Sequence, residues 1–173
     1  MRALLAAAVF CLSGCASSAA VEDVRSTPPQ SPVASAAIAA VSAAGSLPNP
    51  QLTPGETFPG VTAAQVCTSG YSGSVRSVLR DQYVAVYAGY GLAYPQPPGT
   101  YELDHLIPLE LGGDNANPNL WPEPAAPAPG FHQKDELENL LHGRVCSGQL
   151  ALADAQRAIA SDWLALYRQY LQP

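Results

Sequence analysis

The stretch Tyr101-Glu102-Leu103-Asp104-His105-Leu106-Ile107-Pro108-Leu109-Glu110-Leu111-Gly112-Gly113-Asp114-Asn115-Ala116-Asn117-Pro118-Asn119-Leu120-Trp121-Pro122 carries the densest set of chemically capable side chains in the sequence. Tyr101 to Leu109 reads as a strand, Gly112-Gly113-Asp114-Asn115 as a turn region and Asn119-Leu120-Trp121 as a short returning strand. Upstream, Ser72 or Ser74 can cap a helix running to Tyr87, with Val75, Val78, Leu79, Tyr83 and Val86 recurring at helical spacing. Gly89, Gly91 and the run Pro95-Gln96-Pro97-Pro98-Gly99 stop it. Downstream of a second Pro-rich loop, His132 to Val145 reads as a helix with Leu137, Leu140, Leu141 and Val145 on one stripe. A last helix from Leu152 to Tyr170 carries Ile159, Trp163, Leu166, Tyr167 and Tyr170. The order is helix, strand, turn, strand, helix, helix, an α+β arrangement in which a short hairpin is flanked by helices.

The rest of the sequence separates from this region by texture. The chain has 173 residues and is 47% hydrophobic, but 14 of its 29 alanines fall in the first 45 residues. Charged residues are only 13% and the formal net charge is −6, which excludes a scaffold that holds nucleic acid mainly by its overall positive field. No apolar run approaches the roughly 20 residues of a spanning helix, and no heptad or internal repeat is present. Arg2 followed by the apolar Ala3–Leu12 reads as a secretory signal. Leu12-Ser13-Gly14-Cys15 resembles a bacterial lipobox, so residues 1–14 are expected to be removed and Cys15 to carry lipid; an ordinary signal peptide is the alternative. Ala16 after the Cys leans toward the outer membrane. Residues 15–57, rich in Ala, Ser and Pro, read as a disordered tether, and residues 58–173 as the folded domain. With Cys11 lost and Cys15 lipidated, Cys67 and Cys146 are left to pair in an oxidising compartment, or to stand as two buried thiols.

The Asp104-His105 dipeptide, followed by Ile107-Pro108-Leu109, Gly112-Gly113, Asn119-Leu120 and a helix bearing His132, resembles the HNH endonuclease superfamily. Lys134-Asp135-Glu136-Leu137-Glu138, Val145-Cys146-Ser147-Gly148 and Ala155-Gln156 are similar to the flanks of a bacterial subgroup of it. The resemblance implies a ββα-metal core, a hairpin plus helix flanked by an N-terminal and a C-terminal helix. It implies hydrolysis of phosphodiesters in DNA with low sequence specificity, using one divalent ion: Mg²⁺ for an oxygen-rich site, with Mn²⁺ or Zn²⁺ open because a His is among the expected ligands.

On that resemblance His105 is the general base, Asp104 a metal ligand and His132 the second ligand, while Asn119 braces the loop and orients His105. Asn115 or Asn117 could replace Asn119 in that combined role. Adjacent strand residues face opposite ways, so a twist or bulge near Pro108 is needed for Asp104 and His105 to share a site. Arg76 and Arg80, on one helix face, and Lys134 are the candidate phosphate contacts; Trp121 is expected in the core, and His142 as a surface or structural residue. The chain is expected to act as a monomer, exported and held to the membrane through Cys15. The competing expectation is a non-catalytic envelope lipoprotein that keeps the HNH-like fold as a binding or structural module, since residues 58–173 remain acidic.

Overall fold

The structure, a computed structural model, describes residues 47–172. The expected signal peptide, Cys15 and tether residues 15–46 lie outside the described residues. In the hairpin, β1 (Tyr101–His105) pairs antiparallel with β2 (Leu120–Pro124), with Leu103 opposite Pro122 and His105 opposite Leu120. The first strand was expected to reach Leu109 but ends at His105. Beyond it Leu106 N–H still donates to Asn119 O at 2.8 Å, but both backbone groups of Ile107 bond at 2.9 Å to the Asn119 side chain instead of to a strand. Pro108 then opens a 3₁₀ turn over Leu109–Leu111. The returning strand starts one residue later than expected and runs three further. All five of its residues are buried, and its prolines are tolerated because each strand of a two-stranded sheet has one edge without a ladder.

Among the described residues, five α-helices surround the hairpin. In chain order they are α1 (Ala63–Val66), α2 (Tyr71–Val75), α3 (Arg80–Gly89), α4 (Phe131–Cys146) and α5 (Leu152–Leu171). The helix expected from Ser72 or Ser74 to Tyr87 is thus two helices. Asn115 captures the backbone between them: its Nδ2 donates to Val75 O at 2.8 Å and its Oδ1 accepts from Ser77 N–H at 3.1 Å. The Gln82 side chain accepts from Leu79 N–H at 3.0 Å to start α3 afresh. Arg76 consequently lies in extended backbone (φ −64°, ψ 120°) and does not share a helix face with Arg80, as had been expected.

The two long helices follow their apolar periodicity. Phe131, Lys134, Leu137, Leu141 and Val145 form the buried stripe of α4, and Ala155, Ile159, Trp163, Leu164 and Tyr167 that of α5. They enclose Leu103, Leu106, Leu120 and Trp121 from the hairpin region in one core, each fully buried aliphatic side chain contributing about 1.5–3 kcal/mol. A capping box between Thr62 and Gln65 starts α1. Just past its end, Cys67 forms a disulfide with Cys146 at the end of α4, with Cα atoms 5.5 Å apart. The expected pairing is present.

The domain begins earlier than the expected boundary at Phe58. Thr53 is buried, its hydroxyl 2.7 Å from the Tyr90 hydroxyl and donating to Leu120 O at 2.9 Å. Gly55 N–H donates to Pro118 O, and Thr57 bridges Gly113. Residues 47–57 therefore belong with the folded part and not with the tether, because their backbone groups find partners on the hairpin loop. No helix among the described residues is long and apolar enough to cross a membrane.

Candidate functional site

Strand alternation places Asp104 on the same face of the hairpin as Glu102, Trp121 and Glu123. This face meets α4 through Lys134 and Glu138, one turn apart. Lys134 Nζ donates to Asp104 Oδ2 at 2.5 Å, to His105 O at 2.8 Å and to Glu138 Oε1. Lys134 is 1% exposed and Glu123 is wholly buried. An ammonium thus sits between the carboxylates of Asp104 and Glu138 under the hairpin, with the buried Glu123 carboxyl near enough to act on its charge.

The charge states follow from that geometry. Burial raises the Asp104 carboxyl, but the Lys134 ammonium more than offsets this and holds it below the usual carboxylate range. Burial pushes Glu123 well up and Glu138 up to about 8, despite the same ammonium. Burial alone would lower Lys134, yet Asp104 and Glu138 keep it firmly protonated. Glu123 accepts no hydrogen bond among the described residues. With its proton retained it can donate to Asp104, a pairing that itself lowers Asp104 and raises Glu123.

His105, the last residue of β1, is 2% exposed, and its Nε2 lies 3.2 Å from Asn115 Oδ1. The two backbone bonds to Val75 and Ser77 fix which way round the Asn115 amide stands, so an oxygen faces the ring. An amide oxygen only accepts, so Nε2 carries the hydrogen and Nδ1 is left with the lone pair. Burial lowers the pKa of His105, outweighing the opposite pull of Asp104, and the ring is neutral at neutral pH.

Asn119 does a different job. Wholly buried, its amide donates to Ile107 O and Asp114 O, both at 2.9 Å, and accepts from Ile107 N–H at 2.9 Å and Glu56 N–H at 3.4 Å. It braces the loop as expected, while the contact to His105 belongs to Asn115, one of the two alternatives. The glycine pair has steric reasons for its place. Gly112 has φ +79°, and a Cβ on Gly113 would stand 1.7 Å from Ile107 O.

Asp104 and His105 open on one small polar cavity of about 80 Å³, shared with Ser72, Arg76, Glu110 and Glu138. The two neighbours can share it although strand residues alternate, because the strand ends at His105 and the chain turns away there. Its donor set is carboxylate oxygen plus one imidazole, and Glu110 Oε1 is buried with no hydrogen-bond partner among the described residues. Hard oxygen donors of this kind fit a small divalent cation. Asp104, Glu110 and Glu138 line the cavity, with Lys134 already bonded to two of them, but they do not form a group of three ligand atoms within 4.8 Å of one another.

The other expected site residues are distributed as follows. Arg76 is exposed at the cavity mouth. Arg80 lies over the Tyr94 ring, 6.0 Å from its centroid. His132 is exposed, stacked against Phe131 with ring centroids 4.2 Å apart, and does not meet Asp104. From α4 it is Lys134, on the buried stripe, that reaches Asp104, with Glu138 one turn further bonded to the same ammonium. Lys134 is therefore not available as a phosphate contact: its ammonium is taken up by Asp104 and Glu138. Trp121 is buried as expected. His142 is structural, its Nε2 3.0 Å from Val66 O and 3.3 Å from Cys146 Sγ. Cys67, His142 and Cys146 bring their ligand atoms within 4.8 Å of one another, a group that could hold a metal ion, although the disulfide offers it no thiolate.

Glu110, Glu123 and Glu138 were not singled out from sequence. Glu138 had a signal, since it lies four residues beyond Lys134 on a helix; Glu123 had none, lying in a Pro-rich run read as loop. No protein-family model, curated protein or solved structure matches the chain.

Proposed function

We propose that the chain is a metal-dependent phosphodiester hydrolase of HNH type, an endonuclease acting on DNA. The observation that carries this reading is the convergence of His105, its Nδ1 left basic by the Asn115 contact, and Asp104 on one polar cavity of a hairpin–helix unit. Neutral and buried, His105 can take a proton from an attacking water at Nδ1, a step that contributes about 10²–10⁴ in rate. Asn115 keeps the ring in the productive tautomer, and Asn119 holds the loop that carries the cavity's far wall. Arg76 at the mouth can bind a non-bridging phosphate oxygen. Asp104 would be the ligand for a divalent ion, which would supply charge neutralisation at the phosphoryl group and the leaving oxygen. Export with lipid on Cys15 and a monomeric state complete the reading, with the N-terminal segment supporting the first by its sequence alone.

The test is nicking of plasmid by the purified full chain with Mg²⁺, Mn²⁺ or Zn²⁺, compared with His105→Ala. Cleavage that survives the substitution unchanged would sink the assignment. One observation favours a second reading, a non-catalytic module: the Lys134 ammonium already occupies Asp104 and Glu138. Calorimetric titration with each ion separates the two, since absence of binding in both wild type and Asp104→Ala favours the module.

A further inference from the structure

Beside the His105 cavity lies a second, larger hollow of about 430 Å³ that the proposed hydrolysis does not use. Its walls are aromatic: Tyr83, Tyr87, Tyr94 and Tyr101. Tyr94 stands 5.3 Å from both Tyr83 and Tyr87 between ring centroids, and Tyr87 stands 6.5 Å from Tyr101, edge on. Tyr83, Tyr94 and Tyr101 are only partly buried, so each keeps some surface toward solvent. Arg80 lies over Tyr94. Arg76 lines this cleft and the His105 cavity alike, and Glu102, an exposed residue whose carboxyl is nonetheless raised by partial desolvation, stands in the cleft wall.

These features describe one ligand. Open aromatic faces bind flat π systems, and a cleft of this volume falls in the range of single small-molecule sites. A guanidinium shared with the neighbouring cavity suits an anionic link joining a group here to a group there. Glu102 suits a donor at the edge of the flat ring. A nucleobase joined through its phosphate to the next nucleotide has all three properties.

We propose that this cleft takes one unpaired nucleobase of the strand whose neighbouring phosphate lies at His105, so that the protein prefers single-stranded or locally unpaired nucleic acid. A base inside a duplex must be unstacked to enter, whereas an unpaired one enters at little cost. Glu102 favours bases with an exocyclic amine, such as cytosine, over thymine, which has none. The inference deepens the nuclease reading and rests on it for the neighbouring phosphate.

The experiment uses the full chain in EDTA, where no turnover occurs, with short fluorescent single strands followed by anisotropy and by quenching of tyrosine emission. An oligodeoxycytidylate is expected to bind and quench. The same strand made abasic, and the Tyr94→Ala protein, should each bind about tenfold more weakly. Tyr94→Phe should match wild type, and oligodeoxythymidylate should bind less tightly than oligodeoxycytidylate. Equal affinity for the abasic strand overturns the proposal, and this comparison needs no variant to fold. Quenching by a peptide of the Pro-rich residues 27–46 with none by the oligonucleotide also overturns it, assigning the cleft to the chain's own segment. Plasmid cleavage with metal is scored separately. Binding through the cleft without cleavage sustains the cleft and removes the nuclease; cleavage without base-dependent binding does the reverse.

Discussion

His105 Nε2 lies 3.2 Å from an Asn115 Oδ1 that also accepts from Ser77 N–H. The imidazole is therefore tied, through its own hairpin loop, to the break between α2 and α3. The interruption of the helix and the orientation of the candidate base are one feature. Asn115 can reach Val75 and Ser77 only where helical bonding has stopped, and those two bonds decide which atom it shows to His105.

Asn115→Ala should release the ring and leave Val75 O and Ser77 N–H without their partner. Nitrogen-15 NMR of wild type at neutral pH should show His105 with its hydrogen on Nε2, and the variant should show a mixture of tautomers. If nicking activity is present, the variant should lose tenfold or more, within the roughly 10²–10⁴ that a general base contributes. A wild-type ring with its hydrogen on Nδ1 would remove the orienting role of Asn115.

Reduction of the Cys67–Cys146 disulfide, which joins residues 79 apart, frees a long loop in the unfolded chain. The chain-entropy model gives a loss of about 4 kcal/mol. Cys146→Ser should show that loss in urea unfolding, with no change in free-thiol count for the wild type under denaturing conditions before reduction. Alkylation of Cys67 and Cys146 in unreduced, denatured wild type, located by peptide mass, would contradict the pairing.

Alkaline pH should weaken the fold through Tyr87. Burial, reinforced by the neighbouring Tyr94 and Tyr83, raises its phenol to about 12, against about 10 in an unfolded chain. Between those values the folded state keeps a proton that the unfolded state has released. Stability is thus fully present below pH 10 and falls as pH rises toward 12. Tyr87→Phe, which keeps the ring, should flatten that fall in pH-dependent urea unfolding. An unchanged slope would mean that other groups govern the alkaline limb.

The hairpin, the two long helices and the disulfide were legible because each rests on a local pattern: strand-like residues around a Gly-Gly turn, apolar spacing of three and four, and two cysteines left after subtraction. The break at Arg76 was not, since it is imposed by Asn115, nearly forty positions later in sequence. His132 shows a different lapse. With Leu137 and Leu141 already placed on the buried stripe, a helix turning about 100° per residue sets His132 about 140° away from Leu137. The phase that turns His132 away from Asp104, and brings Lys134 toward it, is present in the sequence. The acidic cluster around Lys134 was hidden for a third reason, because Glu123 reaches it only through the strand register.

Lys134 is the residue on which that cluster turns. Its ammonium is the hydrogen-bond donor to Asp104, His105 O and Glu138, and little water reaches it. Lys134→Met keeps much of the side-chain volume but leaves Asp104 a buried charge without its partner, which costs about 3–5 kcal/mol when one member of a buried pair is removed. Urea unfolding should show a loss of that size, while Lys134→Met combined with Asp104→Asn should lose less than the two single changes added together, because the second removes the charge the first had stranded. The same ammonium competes with any cation for Asp104 and Glu138. If those carboxylates hold the ion, Lys134→Met should bind Mn²⁺ more tightly than wild type in calorimetric titration, even as the fold becomes weaker. Strict additivity in the double variant would show that Lys134 and Asp104 do not interact in solution, and unchanged Mn²⁺ affinity would move the ion away from this pair of carboxylates.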